Sequence, residues 1–133
     1  MVKIITFGVF DYFHYGHLKL FERAKKLGDY LIVAVQDSDF ILKYKPETNI
    51  LYSTEQRVEL IRALSIVDEV VIYTDVDKTI KEVDFDIFVK GEDQLHCGFV
   101  NASEYAISRG KKVEVLKRTP GISSTQIRKE IGE

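Results

Sequence analysis

An α/β fold, an open parallel five-stranded sheet with helices on both faces, is what this sequence predicts, and three observations carry it. Five strand-length apolar runs rich in Val, Ile, Phe and Tyr recur along the 133 residues, helical periodicity fills the segments between them, and turn or cap residues punctuate the joins. Alternation of this kind favours parallel pairing, because a parallel strand needs a crossover and a helix supplies it. The length, with 45% hydrophobic and 30% charged residues, suits one domain with one core over residues 1–133.

The elements follow in order. A first strand is expected over residues 3–7, and then a helix whose apolar face is Leu18, Leu20, Phe21, Ala24 and Leu27, with Gly28 just past its end. A second strand is expected over 30–36. The polar stretch 43–52, with Lys43, Lys45, Pro46, Glu47, Thr48 and Asn49, reads as a loop. Ser53 or Thr54 then starts a helix carrying Val58, Leu60, Ile61 and Leu64, ahead of a third strand over 69–73. The fourth and fifth strands are expected over 86–90 and 112–117, separated by a helix around 102–108 that Gly110 follows. Ser123 and Gln126 have the spacing of a capping box for a last helix. No repeat or linker interrupts the pattern.

Charge and cysteine content exclude several classes. A formal net charge of -2 gives no global basic field, so a duplex nucleic-acid binder is not expected and any anion site must be local. A single cysteine cannot form an internal disulfide, and no signal-like N-terminal run is present, which predicts a reduced, cytoplasmic protein. No apolar stretch approaches the roughly 20 residues that span a bilayer. No membrane role is expected.

The segment with the most chemistry is His14-Tyr15-Gly16-His17, directly after the first strand and at the start of the first helix. Two histidines three residues apart share a helix face, and a helix N-terminus presents backbone N–H groups and partial positive charge to an anion. Gly16 lets a ligand approach the backbone. In an open parallel sheet, ligands sit at the carboxyl ends of the strands, where Gly8 also lies. A nucleotide triphosphate fits such a place, since fixed donors aimed at oxygens that gain charge during attack on phosphorus favour the transition state. Two other readings stand beside it. The histidines can simply cap and pack, or with His96 and Cys97 supply zinc ligands, although that pair lacks the usual ligand spacing. Ser123 and Ser124 at a helix start, with Arg118 nearby, can bind phosphate or merely cap. Lys43 and Lys45 can close over phosphates, and Gly91 and Asp93 after the fourth strand can receive a ribose or base.

The run Gly8-Val9-Phe10-Asp11-Tyr12-Phe13-His14-Tyr15-Gly16-His17 resembles the G-x-F-D-x-x-H-x-G-H signature of the cytidylyltransferase group in the HxGH nucleotidyltransferase superfamily. Arg118-Thr119-Pro120-Gly121-Ile122-Ser123-Ser124-Thr125 is similar to its second signature, R-T-x-G-I-S-T-T, and Glu55-Gln56-Arg57 and Val67-Asp68-Glu69-Val70 match pieces between. The resemblance covers essentially the whole chain and is nearest to the small bacterial enzymes that act on glycerol 3-phosphate. It implies the Rossmann-like, HIGH-type nucleotidyltransferase fold and transfer of CMP from CTP to a phosphorylated alcohol, with magnesium as the divalent metal and pyrophosphate released. The product would be a CDP-linked precursor of a cell-surface polymer, made by a homodimer. It further implies catalytic roles for His14, His17 and Arg118. Nucleotide contacts are implied for Gly8, Val9, Phe10, Gly16, Lys43, Lys45, Arg57, Gly91, Asp93, Thr119, Gly121, Ile122, Ser123 and Ser124. No protein-held metal ligand is implied.

The departures concern the acceptor. Ser65 stands where relatives using glycerol phosphate carry arginine, and Arg62, one helical turn earlier, is the substitute candidate, with Asp11 as a second acceptor contact. Ser38 aligns with a family aspartate, between Asp37 and Asp39. Polyol, sugar and amino-alcohol phosphates are therefore all open as acceptors. Adenylyl transfer from ATP to a sugar phosphate or flavin is the alternative reaction, and a nucleotide-binding subunit without catalysis the alternative of another class.

Overall fold

The structure, a computed structural model, describes residues 1–117. Five parallel strands form one sheet: β1 (Lys3–Gly8), β2 (Tyr30–Gln36), β3 (Glu69–Tyr73), β4 (Ile87–Gly91) and β5 (Lys112–Leu116), in the order β3-β2-β1-β4-β5. The helices are α1 (Tyr15–Lys25), α2 (Ser38–Tyr44), α3 (Thr54–Arg62), α4 (Val76–Thr79) and α5 (Cys97–Ser108). All five strands lie within a residue of the apolar runs that predict them. The expected C-terminal helix lies outside the described residues.

Strand alternation sends side chains to two cores. Ile5, Phe7, Ile32, Ala34 and Phe88 face α4 and α5, packing with Val76, Ile80, Phe99, Ala102 and Ala106. Ile4, Leu31, Val33, Val35 and Val89 face α1 and α3, packing with Phe21, Ala24, Val58 and Ile61. Helices therefore cover both faces, as a buried parallel sheet requires. Gly110, at φ 75°, takes the left-handed conformation that ends α5.

Two helices have no counterpart in the sequence reading. The four residues of α4 are too few to show periodicity. In α2, Asp37 serves as N-cap, its carboxylate accepting from Phe40 N at 3.2 Å, so the loop starts at Lys45 rather than Lys43. Helix α5 begins at Cys97, five residues before the expected 102, because His96 caps it and histidine is not among the usual cap residues.

One buried group stands out. Thr6 is fully buried and its hydroxyl is the buried side-chain polar atom with no hydrogen-bond partner among the described residues. Valine has the same shape without the unsatisfied oxygen, so Thr6→Val is expected to raise unfolding stability by about 1 kcal/mol in urea titration, with unchanged fold.

Candidate active site

The sheet order reverses between β1 and β4, and the crevice at their carboxyl ends is the ligand position such sheets provide. A cavity of about 1050 Å³ opens there. Its walls are the turn after β1, the start of α1, helix α2 with the loop after it, and the segment following β4. Gln94, itself on the cavity wall, joins the two strand ends: its Nε2 donates to Phe7 O at 2.7 Å and its Oε1 accepts from Gly91 N at 2.9 Å. Nothing in the pattern around Asp93 marked Gln94 in advance, since its value depends on where β1 ends.

The turn between β1 and α1 is tightly shaped. A Cβ on Gly8 would lie 2.6 Å from Phe10 Cζ, so glycine is required by the ring that folds back over the strand end. Phe10 and Tyr12 have φ of 56° and 51°, the left-handed region that non-glycine residues seldom occupy. Both are buried, and their burial holds the turn against that strain.

This turn delivers two histidines with a defined tautomer. His14 is the N-cap of α1: its Nδ1 accepts from Gly16 N at 3.0 Å, while His17 Nδ1 accepts from His14 N at 3.3 Å. A nitrogen that accepts carries no proton, so in each neutral ring the hydrogen resides on Nε2. The rings stack at 3.9 Å and both line the cavity. Phe10 and Phe13 enclose His17, with ring centroids 5.3 and 5.4 Å away. Burial chiefly, and then His14, pushes the pKa of His17 down to about 3 against the opposing pull of Asp93. The capping that the sequence offered as one reading is therefore made through Nδ1 of both rings.

A titration tests this. The His17 ring resonances should show no protonation above about pH 5, whereas the same residue in the unfolded chain takes its proton near 6.5. Protons then bind the unfolded state preferentially as pH falls, so the contribution of His17 to stability is intact above 6.5 and declines toward pH 3. The loss should be on the order of 2 kcal/mol at pH 4.5 in denaturant titrations.

The other predicted residues, Arg57 apart, fall into three groups. Gly8, Val9, Phe10, Asp11, Gly16, Lys45, Gly91 and Asp93 line the cavity with the histidines. Lys43, exposed with its ammonium 5.5 Å from the Tyr44 ring centre, and the exposed Arg62 do not. Arg118, Thr119, Gly121, Ile122, Ser123 and Ser124 lie outside the described residues. Phe40, Ile41, Tyr44, Thr48, Ile50, Asp75, His96 and Lys117 also line it. The four groups considered for zinc do not assemble: among the described residues no cluster of three or more His, Cys, Asp and Glu is placed to hold a metal.

Arg57 differs most from expectation. It is fully buried and outside the cavity lining. Its Nη1 donates to Val9 O at 2.9 Å and Gln36 O at 2.7 Å, its Nε to Tyr52 O at 3.2 Å, and its Nη2 to Ser38 Oγ at 2.5 Å. Burial lowers its pKa, and the charges of Asp11 and Asp37 oppose that. Asp11, 3% exposed, accepts from Leu51 N at 2.7 Å and Tyr52 N at 3.0 Å, so its two oxygens hold the loop before α3.

Residues 5–130 match the family model described as cytidylyltransferase-like. The chain is 40% identical to a glycerol-3-phosphate cytidylyltransferase of Bacillus spizizenii, over 98% of each chain. It is 37% identical to an FAD synthase of Ferroglobus placidus, over 88% of this chain and 76% of that one. Among solved structures, a lipopolysaccharide core biosynthesis protein from Thermoplasma volcanium superposes with a TM-score of 0.72 at 28% identity, covering 90% of this chain and 97% of that one. With the family's first signature forming the turn and helix start at the crevice, and a family match over nearly its whole length, the chain belongs to the cytidylyltransferase-like family of nucleotidyltransferases.

Proposed function

We propose that the cavity transfers CMP from CTP to a phosphorylated alcohol, with the triphosphate against His14, His17 and the start of α1. The observation that carries this reading is the stacked histidine pair whose Nδ1 atoms are committed to the backbone, which makes each ring an Nε2–H donor lining the cavity. A phosphate monoester has a second pKa of about 6 and is an anionic nucleophile at neutral pH without a general base. Its oxygen attacks the α-phosphorus of the nucleotide, a new P–O bond forms, the α–β bridging P–O bond breaks, and pyrophosphate leaves with the electron pair. Charge grows on the equatorial and leaving oxygens, and donors held in place by the cap stabilise it with little reorganisation. Lys45 adds a positive charge to the cavity wall, and Gly91 and Asp93 offer the nucleoside a place at the end of β4. Arg118 to Ser124 complete the nucleotide contacts in this proposal.

Magnesium suits the donor set. It takes oxygen ligands, commonly one or two carboxylates together with substrate phosphates, and Glu92 on the cavity wall is of that type. Glu92 would hold it together with the substrate's phosphate oxygens, and it would neutralise charge on those phosphates. The acceptor we propose is glycerol 3-phosphate or a related polyol, sugar or amino-alcohol phosphate, and the product a CDP-linked precursor for a cell-surface polymer. The enzyme is proposed to act in the cytoplasm, as a homodimer formed by one domain per chain. Among the described residues no helix is long and apolar enough to cross a membrane.

Pyrophosphate release with CTP, magnesium and a panel of phosphorylated polyols, sugars and amino alcohols tests the reading. Turnover with CTP and one acceptor is expected; turnover with ATP alone selects the adenylyl reading, which the similarity to an FAD synthase supports. Nucleotide binding without turnover for any acceptor overturns catalysis.

A further inference from the structure

Among the described residues Arg57 is the largest fully buried side chain, and nucleotidyl transfer as derived above makes no use of it. Its partners belong to segments distant in sequence that meet around the cavity: the turn after β1 through Val9, the end of β2 through Gln36, the start of α2 through Ser38, and the loop before α3 through Tyr52. Three of these are main-chain carbonyls at or just beyond the ends of elements, where acceptors are left without ladder partners, and the fourth is the Ser38 hydroxyl. A planar guanidinium with five donors is the side chain that can satisfy several at fixed mutual angles. Asp11 holds the same loop from the other side, through the N–H groups of Leu51 and Tyr52. The peptide groups around Tyr52 are therefore gripped twice, donor side by Asp11 and acceptor side by Arg57. Lys45, Thr48 and Ile50, in the loop 45–53 that this grip ends, face the cavity.

We propose that Arg57 and Asp11 are positioning residues for the nucleotidyl-transfer reaction, a two-sided clamp on the loop 45–53 that fixes Lys45, Thr48 and Ile50 relative to His14 and His17, with Arg57 making no contact to the nucleotide. The proposal rests on the reading of the cavity as the nucleotide site. It differs from the role that the resemblance implies for Arg57, and it accounts for a buried cation surrounded by carbonyls.

The test uses Arg57→Lys, which retains charge and loses the fork, with three readouts: calorimetric CTP binding, steady-state kinetics, and hydrogen exchange of the Leu51 and Tyr52 amides. Expected are at least tenfold faster exchange at those two amides with β1 and β4 amides unchanged, at least tenfold weaker CTP binding, and a rise in KM larger than the fall in kcat. The double variant with Asp11→Asn should bind CTP no more than a few-fold more weakly than either single variant, since both loosen one loop. Weaker CTP binding with loop protection intact, or fully multiplicative losses in the double variant, overturns the clamp and returns Arg57 to direct contact. If Arg57→Lys does not fold, Asp11→Asn alone decides: loop exchange must rise and CTP binding must weaken together, and either change without the other overturns the proposal. Wild-type CTP binding without turnover counts against the catalytic reading only, because exchange and binding still report on the clamp.

Discussion

His14→Ala is expected to lower kcat by about 10²- to 10³-fold, the range found when one preorganised donor is removed from a developing oxyanion. Alanine also removes the acceptor for Gly16 N at the start of α1, and loss of an N-cap costs about 1 kcal/mol of stability. The two effects separate with His14→Ser. Serine is a good N-cap, so the helix start is kept, but its hydroxyl is too short to replace Nε2–H at the cavity. Melting temperature should return to within a few degrees of wild type while kcat stays depressed. His17→Ala should match His14→Ala in kcat, and the double variant should fall well short of the product of the single losses, because the stacked rings act as a unit. Pyrophosphate-release kinetics with the identified acceptor, beside thermal melts, measures all four variants. Wild-type kcat in His14→Ala with a preserved fold would remove the pair from the chemistry.

Phe7→Ala carries the largest expected effect on stability, a loss of about 3–5 kcal/mol. The side chain is fully buried and meets Tyr73 and Phe88 edge to face at 5.0 and 5.7 Å, so truncation opens a void in the core under α4 and α5. Typical domains hold only about 5–15 kcal/mol in total, so the variant should sit near the edge of folding. Circular dichroism at rising urea should show the midpoint shifted down with an unchanged slope. The backbone of Phe7 also accepts from Gln94, which joins β1 to β4 at the cavity. Nucleotide affinity at low temperature, where the variant is folded, should therefore fall less than stability does, since that bond is to the main chain.

The central strands β1, β2 and β4 were readable because they are largely buried on both faces and appear as apolar runs; the run at 30–36 coincides with β2 for that reason. Gln36 and Ser38 are different. Their role as partners of Arg57 depends on three elements meeting, which no local pattern expresses. The histidine pair was visible as a spacing at a helix start, yet the assignment of Nδ1 to the backbone needed the actual turn. Arg57 shows the limit most clearly. In sequence it is a polar residue early in an amphipathic helix, and only the carbonyls of Val9, Gln36 and Tyr52 make its burial tolerable. The family resemblance found the position without its mechanism.

The left-handed conformations of Phe10 and Tyr12 have a consequence for how the protein is born. A short peptide with this turn would rarely visit two such conformations in succession, so the turn is not a local nucleus. What secures it comes from far along the chain: the bond from Arg57 to Val9 spans 48 residues, and those from Leu51 and Tyr52 to Asp11 span 40 and 41. Such contacts form late, because loop closure must precede them. During synthesis the β1 sequence emerges first, but the turn after it is secured only once α3 has followed. A chain that stops short of α3 thus carries β1 and β2 but neither the Arg57 bond to Val9 nor the end of β4, and the cavity is complete only after those later elements have followed.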